Sequence, residues 1–182
     1  MNNHQRYDGS SQKEMNRIEA FSDNIFAIAI TLLGLNLTPS SSLEASKLLG
    51  ALFHLWPAYL AFLMSFITIL IVWINHHTLF KLVQRTNTLF LFVNGFLLLL
   101  VTAVPFPTAL VAQYLTTPAA PLVSALYAGF FLVVNLAFNL LWWSAAYQFR
   151  LLRREIAPSR VRKFTSIYLF GFPCYLGAMF LA

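Results

Sequence analysis

The chain has 182 residues, of which 59% are hydrophobic and only 10% are charged. Soluble domains carry about 25% charged residues, so this composition indicates an integral membrane protein. Its long apolar runs exclude a β-barrel, which would alternate polar and apolar positions, and they predict an all-α polytopic bundle of transmembrane helices. The single cysteine, Cys174, excludes an intrachain disulfide and a multi-cysteine metal site.

The chain begins with a polar tail over residues 1–15, which we expect to be cytoplasmic and disordered at its start. It contains no apolar signal-peptide core, so we expect the first span itself to act as the targeting signal and the chain to lie in the cell (plasma) membrane. The remainder, 16–182, is predicted to be one transmembrane domain. Its first span runs from Arg17 to Leu37, and about 20 residues are enough to cross a hydrocarbon core of ~30 Å.

Four further apolar stretches follow, at about 48–80, 88–112, 121–147 and 164–182. The second exceeds the bilayer core, so it should tilt, kink at Pro57 or project into the cytoplasm, and the third should be distorted at Pro105 and Pro107. The fifth ends without a polar flank. Either the protein has five spans, or a sixth helix beyond Ala182 returns the chain to the cytoplasm, and we expect the sixth helix.

The basic residues are distributed by side of the membrane. Eleven of the twelve lie before the first span, after the second, or in the connector 150–163 that follows the fourth. The positive-inside rule therefore places the N-terminus in the cytoplasm. This distribution explains the net charge of +6 without a nucleic-acid partner, and the connector is interpreted as a topology signal that contacts lipid phosphates.

Within the first span, a helical wheel separates two faces. One stripe, about 120° wide, consists of Arg17, Phe21, Asn24, Ile28, Thr31, Leu32 and Leu35. Asp23 lies on another flank with Ala27, Ile30 and Gly34, where small residues would let a neighbouring helix approach closely. Two faces imply two separate roles for this helix.

Asp23 is the only acidic residue well inside a predicted span, and an unpaired carboxylate there costs about 2.5–3.5 kcal/mol. We expect Ser22 and Asp23 to join a buried hydrogen-bond cluster with His76. Further candidates at matching depth are Trp73, Asn75, His77 and Asn94, and Arg17 and Phe21 are expected to belong to the same structural network. Such a cluster can be purely structural or can handle protons. A metal site is disfavoured, because adjacent histidines on one helix do not converge on one ion.

The other face is harder to interpret, because the spacing of Ile28, Leu32 and Leu35 is also that of ordinary core packing. Thr31 could simply bond back to the carbonyl of Ala27. However, amide and hydroxyl groups on this face suit lipid poorly and suit a narrow aqueous lumen with hydrophobic constrictions. Elsewhere, Asn135 and Asn139 are expected to hold helices together.

The residues from Arg17 to Asp23 form the pattern RxxxFSD, and related positions occur at Trp73-Ile-Asn-His76-His77, at Asn94 and at Pro105-Phe-Pro107. The sequence resembles bacterial relatives of the endosomal and lysosomal transmembrane potassium channel family. This resemblance implies six helices per subunit, a homotetramer, and a central pore lined by the first helices. It also implies a constriction at Ile28, Leu32 and Leu35, with Thr31 at the level of a polar layer.

We therefore expect a potassium-permeable channel whose partners are its own copies, membrane lipids and permeant potassium, with no organic cofactor. Enzymatic function is disfavoured, because no catalytic motif is recognisable. Two alternatives remain open: a proton-coupled transporter or proton pathway using Asp23 and His76, and a membrane scaffold without flux.

Overall fold

The computed structural model describes residues 3–37, 48–147, 151–152, 159, 161, 165–166 and 177. It contains six α-helices in these residues: α1 (Asn3–Leu33), α2 (Leu48–His54), α3 (Trp56–Leu82), α4 (Thr88–Ala103), α5 (Pro105–Tyr114) and α6 (Ala120–Ala146). A short 3-10 turn, Gly34–Leu37, continues α1. The predicted all-α class is confirmed.

Three helical segments among the described residues are long and apolar enough to cross a membrane: Trp56–Leu82, Thr88–Tyr114 and Ala120–Ala146. α1 is not among them, since its last 18 residues carry three charged side chains, Arg17, Glu19 and Asp23. Most of the predicted fifth span lies outside the described residues. The prediction of five spans within the sequence and a sixth beyond it therefore stays a prediction.

Prolines interrupt two of the predicted spans. The stretch 48–80, expected to be one long helix, is divided at Leu55 into α2 and α3, and Pro57 occupies the first turn of α3. The distortion expected near Pro105 is confirmed, because α4 ends at Ala103 and α5 starts at Pro105. A proline has no N–H for the preceding helical turn, so it is tolerated at the start of a helix and disrupts an interior.

The N-terminal tail differs from expectation. α1 begins at Asn3 and continues without a break into the membrane-facing part, so a segment expected to be disordered at its start is helical. Met15 is buried in the same apolar core as Val83 and Leu152. The burial of Met15 stabilises this polar helix through tertiary contacts. The segment has too few apolar residues for its sequence pattern to predict that contact.

α1 lies between α3 and α4 and packs against both, while α6 packs against α4 and α5. Its buried face consists of Ser22, Phe26, Ala29 and Leu33. These contacts cover one face of α1 and leave the opposite face uncovered within the subunit.

A second buried polar cluster joins α3, α5 and α6. Thr108 donates its hydroxyl proton to the carbonyl of Val104, Ser65 lies 2.7 Å from Thr108, and Tyr127 lies 2.8 Å from Ser65. Because the Thr108 proton is already used, Ser65 donates to Thr108 and Tyr127 donates to Ser65. The resulting directed chain ends at the carbonyl beside Pro105 and ties the proline-interrupted region to two neighbouring helices.

Candidate functional site

A buried polar cluster joins three of the residues named for the network, and its centre is Asn94. His76 Nε2 lies 2.9 Å from Asn94 Oδ1, Asn94 Nδ2 donates to Ser22 Oγ at 3.1 Å, and Ser22 donates to the carbonyl of Ile18 at 2.9 Å. Ser22, His76 and Asn94 are all buried. One amide side chain on α4 thus connects α3 to α1 in the interior of the bundle.

The donor directions in this chain define the state of His76. Because the Asn94 amide group donates to Ser22, its oxygen accepts, so the proton of His76 is on Nε2. The ring packs between Phe26 and Phe80, with centroid distances of 5.3 Å and 4.4 Å. Its Nδ1 is buried and has no hydrogen-bond partner. The chain of donors runs one way and ends at a backbone carbonyl.

Asp23 is held separately, by α3. Trp73 Nε1 donates to Asp23 Oδ1 at 2.9 Å, and one turn nearer the N-terminus of α1, His77 Nδ1 lies 2.7 Å from Glu19 Oε1. The rings of Trp73 and His77 stack at 5.8 Å with an interplanar angle of 11°. Higher numbers on α1 pair with lower numbers on α3, so the two helices are antiparallel, as consecutive spans require.

The structure separates the residues that were predicted for the network. It brings together Ser22, Asp23, Trp73, His76, His77 and Asn94, in two groups of contacts. Asn75 is half-buried and takes part in none of these hydrogen bonds. Arg17 and Phe21 are exposed on a different face of α1 and lie outside the buried network of the subunit.

Sequence reasoning missed Glu19. Its four-residue spacing to Asp23 matches the spacing of Trp73 and His77, and residues four apart lie on one face of a helix. Two carboxylates on α1 could therefore have been paired with two aromatic donors on α3. Thr108 and Tyr127 were also missed, because hydroxyl groups spaced far apart in sequence leave no local pattern.

Replacing Trp73 with phenylalanine tests the separate attachment of Asp23. The variant keeps an aromatic ring beside His77 and removes the only N–H of the indole, so a carboxylate loses a hydrogen bond worth about 1.5–3 kcal/mol. We expect a clearly lower unfolding temperature in detergent. Trp143→Phe is the matched control, because Trp143 is exposed on α6. Equal shifts in the two variants would show that the Trp73–Asp23 bond contributes nothing specific.

The other predicted face of α1 is uncovered. Ile28 is 55% exposed, Leu32 39% and Leu35 68%. Asn24 and Thr31 are exposed on the same side. The interpretation of this stripe as core packing within the subunit is wrong, because the core of α1 is formed by the opposite face, with Phe26 and Leu33.

Thr31 lies in the middle of this stripe, and its hydroxyl donates to the carbonyl of Ile28 at 2.8 Å. The sequence had offered the carbonyl of Ala27 as an alternative partner, and the acceptor is instead the next residue, Ile28. The bond uses the single hydroxyl proton and leaves oxygen lone pairs for another donor or a cation. The Thr31 oxygen can thus accept a hydrogen bond or contact a cation on the exposed face of α1.

Comparisons with known proteins agree on one family. Residues 17–105 match the model of the endosomal/lysosomal potassium channel TMEM175. A potassium channel of Chamaesiphon minutus is 50% identical over 173 residues, which are 94% of this chain and 85% of that protein. A potassium channel of Streptomyces collinus is 43% identical over 131 residues, covering 71% of this chain and 64% of the relative.

A solved structure gives the same result. The crystal structure of a lysosomal potassium-selective channel TMEM175 homolog from Chamaesiphon minutus superimposes with a TM-score of 0.83 and 48% sequence identity. The match covers 93% of this chain and 86% of that one.

Proposed function

The chain belongs to the TMEM175 family of potassium channels, and we propose that four copies assemble so that the exposed stripes of α1 surround one ion pathway. The observation that carries this proposal is the exposure of Ile28, Leu32 and Leu35 on a helix whose opposite face is fully packed. The first helix is polar at its cytoplasmic end and apolar beyond Asp23. A ring of such helices would admit water at its polar end and would be narrowed by apolar side chains beyond Asp23.

In this proposal, rings of Ile28, Leu32 and Leu35 form the constriction. A narrow apolar ring makes a cation lose part of its hydration, and potassium loses water at a lower cost than sodium does. Thr31 oxygen atoms, next to Leu32 in sequence and about one turn from Ile28 and from Leu35, would compensate part of that loss. Apolar rings can also empty of water, so the same residues would serve as selectivity element and gate.

The buried network would keep the stripe facing the pathway. Successive residues on an α-helix are separated by about 100°, so a small rotation of α1 replaces Ile28 with a neighbouring side chain. Ser22 binds Asn94 of α4, and Asp23 binds Trp73 of α3, so α1 is held from two directions. These contacts resist rotation in either sense.

A relay of protons through Asp23 and His76 is less well supported by the same geometry. Asp23 accepts from an indole N–H, which can donate but cannot accept a proton, and His76 bonds to an amide. Neither partner passes a proton onward. The polar network is therefore assigned to support the pore helix.

Flux from liposomes tests the function. Purified protein in vesicles should release potassium faster than sodium, with unitary currents in bilayer recordings and no saturation typical of a carrier. Protein-free vesicles are the control. Saturable flux that requires a pH gradient would instead establish a proton-coupled transporter. No flux of potassium, sodium or protons would leave only a structural role in the membrane.

A further inference from the structure

A groove runs beside the exposed stripe of α1, between α1 and α4. Its lining residues include Arg17, Phe21, Leu91, Gly95 and Leu98, with Asn94 at the floor, and its volume is about 390 Å³. A second hollow of about 570 Å³ continues along α4 and shares Leu91 and Gly95. A Cβ atom at Gly95 would meet nothing within 4 Å, so glycine here leaves open space that its own subunit does not fill.

The outward side of α3 carries a row of exposed aliphatic side chains, a ridge that could fit such a groove. Leu63, Ile67, Ile71 and Ile74 are all exposed, and their spacing places them in one stripe along the helix. Ile71 and Ile74, at 52% and 49% exposure, lie in the half of α3 that is nearer the network. The subunit thus has a groove on the α4 side of α1 and an aliphatic ridge on the α3 side.

We propose that the α3 ridge of one subunit fits into the groove between α1 and α4 of the next subunit. This inference rests on the proposed function, because it takes the α1 stripe to face a central axis. Since α1 lies between α3 and α4, the α3 side of each copy then meets the α4 side of its neighbour. A head-to-tail contact of this kind closes into a ring when the same rotation is repeated.

The two surfaces lie at the same depth. The hydrogen bond between His76 and Asn94 brings α3 and α4 to one level. Ile74 is two residues from His76, or about 3 Å along the helix, and Gly95 adjoins Asn94. In a ring of identical copies each element keeps its depth, so Ile74 of one subunit is level with Gly95 of the next.

One pair of opposite charges can form at the cytoplasmic end of this contact. Glu14 is exposed at the rim of the groove, where it accepts a hydrogen bond from Thr86 at 3.3 Å and lies one turn from Arg17, and Lys81 is exposed at the end of α3. Lys81 has no acidic partner within the described part of its own subunit. When the ridge lies in the groove, the end of α3 meets the rim, which places the lysine near the neighbour's carboxylate.

The contact also affects the network. Asn94 lies at the floor of the groove and makes both central hydrogen bonds of the buried cluster. Asn94 is already buried in the single subunit, so a neighbouring ridge would act by fixing the α1 and α4 walls of the groove. Assembly would thereby stabilise the rotational position of α1.

Cross-linking between differently marked copies tests the pairing. Subunits with Gly95→Cys and subunits with Ile74→Cys, both carrying Cys174→Ser, are co-expressed with different tags and treated with a short bismaleimide. Because each copy has a single cysteine, a product that carries both tags joins two subunits. We expect this product with Ile74→Cys and its loss with Leu63→Cys, which lies on the same ridge about 16 Å away along the helix.

A substitution that fills the groove gives a second readout. Gly95→Leu is expected to convert most of the oligomer to monomer in light scattering, with unchanged helical circular dichroism, because its side chain points into open space in the subunit. Gly50→Leu is the matched control, at another glycine without neighbours within 4 Å.

Several outcomes would overturn the inference. Cross-linking of Gly95→Cys to itself, equal cross-linking through Leu63, or an intact oligomer in Gly95→Leu would each show that a lipid or another surface fills the groove. If these occur while the wild-type oligomer still releases potassium from vesicles, the pairing is wrong and the channel proposal stands. A wild-type protein without oligomer and without flux would contradict both.

Discussion

Replacing Ile28 with asparagine or Leu35 with alanine is expected to lower the preference for potassium over sodium by about tenfold or more, which corresponds to about 1.4 kcal/mol. A polar or smaller side chain lets ions keep more of their hydration at that ring, so the difference between the two cations becomes smaller. Conductance should rise in both variants, because an apolar ring no longer excludes water. Reversal potentials under bi-ionic conditions measure the effect.

Leu126→Ala is the matched control for the leucine variant. Leu126 is 52% exposed and Leu35 is 68% exposed, so both leucines are uncovered within the subunit. Leu126 lies on α6, away from the α1 stripe. Unchanged selectivity and conductance in both pore variants would remove the α1 stripe from the ion pathway. A loss of selectivity in Leu126→Ala would mean that the assay reports general damage.

Asn94→Leu is expected to produce the largest loss of stability in the subunit. Leucine is similar in size but removes the acceptor of His76 Nε2 and the donor to Ser22. Each of these two buried groups costs about 1–3 kcal/mol when left without a partner, so the total is about 2–6 kcal/mol. The unfolding temperature in detergent should fall strongly, and the milder variant Ser22→Ala should lie between it and the wild type.

Asn75→Leu is the control for this prediction. This variant makes the same substitution at Asn75, which is adjacent to His76 in sequence. Asn75 is half-buried and lies outside the hydrogen-bonded chain. We expect little change in the unfolding temperature. If both asparagine variants are equally destabilised, the loss belongs to α3 and α4 in general and the central role of Asn94 is wrong.

Much of the fold followed from the pattern of apolar runs and their interruptions. Apolar length predicted the helices that became α3 and α6, and the prolines predicted the interruption between α4 and α5. The break before α3 was offered only as one of three options. The helical tail was missed, because the burial of Met15 depends on Val83 and Leu152, which are distant in sequence.

The candidate site was predicted unevenly for a similar reason. Asp23 and its need for a partner were evident from one carboxylate in an apolar run, but the choice between Trp73 and His76 was not. Depth along a helix restricts partners to one level, and several residues of α3 share that level. Only the relative rotation of the helices assigns Trp73 to Asp23 and His76 to Asn94.

By itself, the sequence determined that this is a helical membrane protein, that its first helix has two faces, and that a polar cluster lies near one end. Apolar length, helical periodicity and the cost of a buried charge act locally, so they can be evaluated along a single chain. The tertiary structure decided which face of α1 is buried, which donors meet which acceptors, and that Ile28, Leu32 and Leu35 are left uncovered. Those outcomes depend on how α3 and α4 pack around α1, and no single segment contains that information.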